Sequence, residues 1–392
     1  MLINLPPELV HHVISFLHPQ DVCQLRLTNS SLRNICDSES IWTGFCKDKF
    51  GLNFAPDEDL ISPKAFFQKI LYKYGSLLGL WQRQNLKFYG GILRVRLDQD
   101  WIKSLVFELL FPATSIFEDL RRKTFLTIRL NDDEDVVITN HDSWSCQKPA
   151  EIHLEEEDEL SITIPSLTDY ISSPAEWRDL LDEFRSLDTT LHTDGAIMKF
   201  VSYYHNRNIF VYEPLLTSNW IREHHGEHES NNSLLSSILP GVFQGSYGSH
   251  GIEIIHLFDG QGVKVTGDPN IPFNEVSFRV TNRNILNIPP DLQSSLRNVK
   301  AATENCEEYF ETDDVIDKDK KYDFLIPEEM LERDKISWRT CQGRWVAEAH
   351  IAGDMFVDDQ YIPANFILFS QDEFAVMFLD LNCITLFHRV NI

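Results

Sequence analysis

No stretch of the 392-residue chain approaches eighteen consecutive apolar residues, and its first residues hold no basic segment running into an uninterrupted apolar core. The sequence therefore predicts neither a membrane span nor a signal peptide. Cysteine is sparse and odd in number: Cys23, Cys36, Cys46, Cys146, Cys306, Cys341 and Cys383 form no C-x-x-C pair, and several lie in apolar runs. That usage fits reduced, mostly buried thiols in a protein of the cytoplasm or nucleus. Basic residues are few, 35 Lys and Arg against 60 Asp and Glu, for a formal charge of −25. Phosphate contacts are made by Lys and Arg, so this balance argues against nucleic acid or an anionic membrane as the main partner. The chain also lacks G-x-S-x-G, a P-loop, a Rossmann fingerprint and H-E-x-x-H, which leaves the corresponding enzyme chemistries without a motif. The acids from Glu155 to Glu159 read as a solvated loop, and Cys341 near His350 as core packing on a strand-rich run.

What is present divides into a small domain and a large one, each long enough for its own core. Residues 1–50 carry four basic and five acidic side chains, so −24 of the net −25 falls on the remainder. These fifty residues have a helical period. Leu5-Pro6-Pro7-Glu8 opens a helix, with proline in the first turn and an acid at the positive end of the dipole. Leu9, Val10, Val13, Ile14 and Leu17 form one face of that helix. Pro19 and Asp21 start a second helix bearing Val22, Leu25 and Leu27. Ser30 is positioned to cap a third with Leu32, Ile35 and Cys36, and a fourth carries Ile41, Trp42, Phe45, Cys46 and Phe50. Four short helices cannot bury all these faces among themselves, and a leftover apolar surface implies a partner.

An acidic linker then leads to Ser62-Pro63, an N-cap followed by proline, and a helix with Phe66, Phe67, Ile70, Leu71 and Tyr74 on its apolar face. Gly75 suits its C-terminal cap. This segment, 51–75, reads as linker and brace. From Leu77 onward the period changes to two. Fourteen short segments rich in Val, Ile, Leu, Phe and Tyr, broken by Gly, Asn, Asp or Pro, run from 77–83 to 382–390. They predict one large antiparallel barrel or sandwich over 76–392. Ser173-Pro174-Ala175-Glu176 begins an inserted helix. Stretches 217–236 and 303–323 are polar and charged and read as loops. The fold class is α+β, a small all-α module followed by a β-barrel domain with one or two inserted helices.

The densest motif outside the helices runs from Gly241 to Glu253 (GVFQGSYGSHGIE) and continues in Lys264-Val265-Thr266-Gly267-Asp268-Pro269-Asn270-Ile271-Pro272. Glycines at this density let backbone turn sharply and let a ligand approach N–H groups. Tyr247, His250, Lys264, Thr266, Asp268 and Asn270 supply an aromatic face, a polar ring and charges suited to a peptide terminus. Asp268-Pro269-Asn270 is equally a plain turn sequence. His141, Cys146 and His153 lie close together in sequence, as do His224, His225 and His228, but neither spacing is a standard zinc pattern. No metal or other cofactor is therefore assigned.

Leu5-Pro6, Glu8, Leu9, Ile14, Phe16-Leu17, Asp21, Leu25, Leu27 and Trp42 resemble the F-box pattern in order and spacing. The resemblance implies binding to the Skp1 adaptor of a cullin–RING ubiquitin ligase, with Leu5, Pro6, Leu9, Ile14, Leu17, Leu25 and Trp42 carrying or supporting that contact. Asn29-Ser30-Ser31 departs from the bulkier or basic residues of many members. Gly79-x-Trp81 on the first strand, with Arg389 on the last, resembles lipocalin-like (calycin) barrels, in which a tryptophan packs under an arginine. That implies Trp81 as barrel support or pocket floor, with a small-molecule-binding barrel as one alternative function. Finally, the YGSHG and TGDPNIP motifs are similar to those of the F-box only protein 31 family. Leu78–Gln82, Tyr89–Leu93, Met198–Phe200, Phe366–Phe369 and Leu386–Val390 extend the likeness. This implies a non-catalytic substrate receptor whose β domain captures the carboxy-terminal end of protein substrates for ubiquitination and degradation. A second alternative is an F-box protein that binds Skp1 outside any ligase.

Overall fold

The computed structural model describes residues 5–54, 61–84, 88–98, 103–141, 150–154, 159–163, 209–217, 240–311, 320–330 and 340–391. The expected helix at 173–187, the Met198-Lys199-Phe200 motif, Cys146 and the histidines at 224, 225 and 228 lie outside these residues. The chain forms two compact units. One comprises Met1–Leu80, Arg94–Glu108 and Thr124–Glu151; the other comprises Trp81–Leu93, Leu109–Lys123 and Ile152–Ile392.

The first unit opens with four helices: α1 (Pro7–Ser15), α2 (Pro19–Thr28), α3 (Ser30–Cys36) and α4 (Glu39–Phe50). Val10, Ile14, Val22, Leu32, Cys36, Ile41, Trp42, Phe45 and Cys46 are buried. Proline sits in the first turn of α1 and of α2, where its missing N–H costs nothing. The cap of α3 is Asn29, whose Oδ1 accepts from Ser31 N at 2.7 Å, one residue earlier than the sequence suggests. Gly51 ends α4 in the left-handed conformation (φ 64°). The brace begins as expected, with Ser62 Oγ accepting from Ala65 N. It runs through α5 (Pro63–Phe66), a π-helical turn (Phe67–Leu71) and α6 (Tyr72–Tyr74). Phe67 packs on Trp42, Phe45 and Phe50, with centroids 5.5–6.2 Å apart. Asp37 clamps the corner by pairing with Arg26 at 2.6 Å and Lys64 at 2.7 Å. Gly75 does not act as a left-handed cap; its φ is −67°, and the Phe50 ring lies 2.7 Å from where a Cβ would stand. Close packing, not conformation, demands glycine there.

The β region contains two assemblies. Strands β1 (Gly79–Arg83), β2 (Ile92–Asp98), β3 (Ser104–Phe111), β4 (Arg121–Leu130), β5 (Val136–Asn140), β6 (Glu151–Leu154), β7 (Leu160–Thr163) and β8 (Ile209–Thr217) form one sheet, ordered β5-β4-β3-β2-β1-β8-β7-β6. A separate closed barrel is built from β9 (Gly241–Ser246), β10 (Ile252–Phe258), β11 (Gln261–Lys264), β12 (Val276–Val280), β15 (Gly343–Gly353), β16 (Val357–Leu368), β17 (Glu373–Phe378) and β18 (Cys383–Arg389). Tyr322–Asp323 and Thr340–Cys341 pair as β13 and β14. The large antiparallel β domain is as expected, and its barrel is closed by β18 pairing with β9.

Alternation along the barrel strands separates two cores. Inside lie Phe243, Phe278, Trp345, Phe366, Phe374 and Phe387, with Phe374 and Phe387 stacked at 4.7 Å. Outside, Ile367, Ala375, Met377, Ile384 and Leu386 pack with Leu296 and Val299 of helix α8 (Leu296–Glu304), which follows α7 (Pro290–Gln293). Part of the expected loop at 303–323 is thus ordered: the end of α8, a 3₁₀ turn at Cys306–Tyr309, and β13.

Two expectations need correction. Trp81 is buried on β1, a strand of the open sheet, so it is not barrel support in the lipocalin manner. Arg389 instead covers the ring of Phe243 at 4.4 Å, across the strand pair that closes the barrel. Second, Gly241–Ser246 is a strand and not an exposed turn. A Cβ on Gly245 would stand 2.4 Å from the Phe387 ring, and one on Gly241 would meet the Arg389 guanidinium. These glycines make room for interior groups.

Candidate functional site

Two surfaces bear on function, one in each unit. In the helical unit the side chains assigned to adaptor contact separate by depth. Ile14 and Trp42 are interior, and Trp42 Nε1 donates to Cys36 O at 2.8 Å. Leu17 and Leu25 are half-buried, whereas Leu5, Pro6 and Leu9 are exposed. Exposed with them are Val13, Phe16 and Leu27, Phe16 at 76% and Leu27 at 65%. Leu9, Val13 and Phe16 fall at i, i+4 and i+7 of α1 and its end, which places them in one stripe. Isolated exposed leucines are ordinary, but a stripe headed by a bare phenylalanine marks an interaction surface.

In the second unit, alternation builds a polar cluster inside one end of the barrel. Ile255 faces the interior, so Glu253, two residues before it on β10, shares that face. Lys264 is the cross-strand partner of Ile255 and points the same way. Lys264 Nζ lies 2.5 Å from Glu253 Oε2, 3.3 Å from Asp268 Oδ2 and 4.7 Å over the Tyr247 ring. Tyr247 packs on the interior beside Phe387, and its hydroxyl is 2.8 Å from Ser277 Oγ. Asp268 Oδ1 accepts from the N–H groups of Asn270 at 2.7 Å and Ile271 at 2.9 Å. At the rim, His250 Nδ1 is 3.5 Å from Asp268 Oδ2, and Asn270 Nδ2 donates to Ala352 O at 3.0 Å.

Burial alone would raise the Asp268 carboxyl. The hydrogen bond from Glu253, the charge of Lys264 and the N–H of Ile271 outweigh it and hold Asp268 at about 2. Glu253 moves the other way: burial pushes its carboxyl well above the carboxylate range, against the pull of Lys264 and helped by Asp268. Burial, with the nearby Glu253 adding to it, raises the Tyr247 phenol as well.

Of the seven substrate-site residues expected from sequence, the structure gathers Tyr247, His250, Lys264, Asp268 and Asn270 in this cluster. Lys264 is enclosed, Tyr247 is half-buried, and His250, Asn270 and the edge of Asp268 reach solvent. Thr266 has a separate duty: its Oγ1 accepts from Ile254 N at 2.8 Å. Trp81 is elsewhere, on β1. Three contributors were not foreseen: Glu253, Ser277 and Gln82, whose Nε2 donates to Lys264 O at 3.3 Å. Glu253 was legible as the lone acid on the inward face of an otherwise apolar strand. The structure also joins two distant motifs. Gly267 N donates to Tyr89 O and Phe273 N to Phe88 O, while Gly90 bridges Thr266. Gly90 is left-handed (φ 63°), and a Cβ there would strike Val265 O, so only glycine fits. Among the described residues no group of three His, Cys, Asp or Glu is arranged to hold a metal, and no helix is long and apolar enough to cross a membrane.

A four-helix module with an unpartnered apolar stripe, followed by a closed antiparallel barrel, defines the class. Residues 2–48 match the F-box-like family model, and residues 226–392 match a family described as the cyclin D1 binding domain. The chain therefore carries an F-box-like domain at its amino terminus. Within that class it is similar to F-box only protein 31 over nearly its full length. It is 25% identical to the Mus musculus protein over 442 residues, covering 99% of this chain and 84% of that one. The Homo sapiens protein is 25% identical over 461 residues (99% and 83%), and Xenopus laevis F-box only protein 31-A is 26% identical over 451 (99% and 84%).

Proposed function

We propose that this chain is the substrate-recognition subunit of an SCF-type ubiquitin ligase, non-catalytic in itself. Residues 1–50 dock on Skp1, 51–75 brace that module, and 76–392 form the substrate domain. Phe16 carries the first half of this reading: it is 76% exposed on the stripe shared with Leu9 and Val13, in a segment that matches an F-box-like domain. For the second half, the match of residues 226–392 to a family described by cyclin D1 binding supports capture of protein substrates. The rim of His250, Asp268 and Asn270 is the contact surface we assign to a substrate's carboxy-terminal end. Lys264, Tyr247 and Thr266 support it from behind. Such a receptor accelerates ubiquitin transfer by raising the local concentration of a substrate lysine near the loaded conjugating enzyme. It acts in the cytoplasm or nucleus.

The packed aromatic interior favours this reading over a lipocalin-like carrier, because an eight-stranded barrel filled by side chains is a core and not a ligand chamber. The test is co-purification. The wild-type chain is expected to bring down Skp1 and cullin together, and the double substitution Leu9→Asp, Phe16→Asp to lose both. Capture of Skp1 without cullin sinks the ligase role and leaves an adaptor acting outside it. Peptide arrays with free and amidated carboxy termini test the substrate half. Loss of capture in Asp268→Ala is the expected result.

A further inference from the structure

One ammonium in the barrel interior faces two carboxyl groups, and their surroundings are unequal. Asp268 has four potential donors around it: the N–H groups of Asn270 and Ile271 on Oδ1, and Lys264 and His250 beside Oδ2. That is the donor set of an ionised carboxylate. Glu253 is flanked by Lys264 Nζ and by the Asp268 carboxyl, so the one ammonium beside it is shared with a second acid. The Glu253 side chain is 4% exposed. Two ionised carboxylates beside one ammonium would leave an uncompensated charge in the interior, which folded proteins avoid by protonation. Glu253 is thus the neutral member of the pair, and Asp268 the charged one.

We propose that Glu253 is the positioning residue of the terminus-recognising surface: set beneath Lys264, it holds the ammonium against Asp268 and so fixes the carboxylate that meets the ligand. The inference rests on the reading of His250, Asp268 and Asn270 as that surface. Glu253 itself is inside and touches no ligand. The groups packed around it are Lys264 from β11, Asp268 from the loop after β11, and Tyr247 from the turn before β10, with His250 behind Asp268. Its partner on β9, Gly245, brings no charge. When Glu253 loses its proton, the new anion competes with Asp268 for Lys264 and releases Asp268 from its fixed position.

The experiment measures capture of a synthetic peptide, with whichever terminus the wild type prefers, by full chain purified with Skp1, across neutral to alkaline pH. Glu253→Gln keeps the shape, the neutrality and an N–H donor. It is expected to bind within about twofold of wild type at neutral pH, whereas Glu253→Ala loses about tenfold or more. Wild-type capture falls as rising pH removes the Glu253 proton, and Glu253→Gln does not follow it. In the infrared spectrum, a carbonyl stretch of a protonated carboxyl should be present in wild type and absent in Glu253→Gln. The proposal is overturned if Glu253→Gln loses as much as Glu253→Ala, if both pH profiles coincide, or if the wild type lacks the band. Failure of the wild type to capture any carboxy-terminal peptide is a different result, because it overturns the functional reading from which this one follows.

Discussion

Asp268 and Glu253 sit on the same lysine yet bias stability in opposite directions with pH. The folded-state carboxyl of Asp268, at about 2, lies below its ordinary 3.8. Its contribution is therefore present above pH 3.8 and lost as pH falls through 2. A depression of this size corresponds to about 2 kcal/mol at neutral pH. Glu253 is raised above its ordinary 4.5, so its contribution is complete below that value and declines as pH rises toward its folded-state value. Asp268→Asn should keep the turn, since an amide oxygen can still accept from Asn270 and Ile271, but it should flatten the acid limb of stability against pH. Denaturant unfolding at a series of pH values from neutral to about pH 2 checks this, and an unchanged acid limb would remove Asp268 from the account.

At the scale of elements, β9 shows how a sequence pattern can point the wrong way. Glycines in GVFQGSYGSHG suggest an open turn that bares N–H groups, and only the second half of the motif behaves so. Gly248 and Gly251 are left-handed, with φ 62° and 84°, on either side of His250. Gly241 and Gly245 are extended strand residues whose missing side chains are occupied by Arg389 and Phe387. The two kinds of glycine should therefore respond differently. Gly245→Ala forces a methyl into the Phe387 ring and is expected to destabilise by about 1–3 kcal/mol through overpacking. Gly248→Ala meets open space and should cost only the left-handed strain, about 1–2 kcal/mol, with the interior intact. Near-ultraviolet circular dichroism, which reads the packing of interior rings, should change in the first variant and not in the second.

The same contrast explains what was legible in the sequence. Helices α1, α2 and α5 announce themselves through proline in the first turn and an apolar face, which are local signals. Hairpins such as β10–β11 do so through the Asp259-Gly260 turn, where both residues have positive φ. Which strands close the barrel is not local. Trp81 and Arg389 carry the residues of a calycin signature, but β9 rather than β1 pairs with β18, and that choice depends on how whole strands fit around the aromatic interior. Lys264, Asp268 and Tyr247 were found as chemistry, and their burial was not, because exposure follows from the barrel's end and not from residue type. Helix α8 escaped notice because its buried face is thin: Leu296, Val299, Ala302 and Thr303 among polar neighbours.

For the whole molecule, the two assigned surfaces lie in different compact units, and the proposed function predicts that adaptor docking and substrate capture can be lost one at a time. Leu9 and Phe16 are exposed, so replacing both with aspartate leaves the interior of the helical module undisturbed, unlike Trp42→Ala, which removes a buried ring at about 3–5 kcal/mol. The aspartate pair should therefore abolish Skp1 binding while the melting temperature and peptide capture stay at wild-type values. Asp268→Ala should do the converse, keeping Skp1 and losing the peptide. On the proposed function, ubiquitin transfer to a captured substrate requires both surfaces on one chain, because such a receptor contributes proximity alone. Mixing the two variants should consequently fail to restore transfer, although each partner is bound by one of them. Recovery of transfer in the mixture would show that capture and docking need not reside on the same molecule, and would replace the single-chain receptor with a pair of copies acting together.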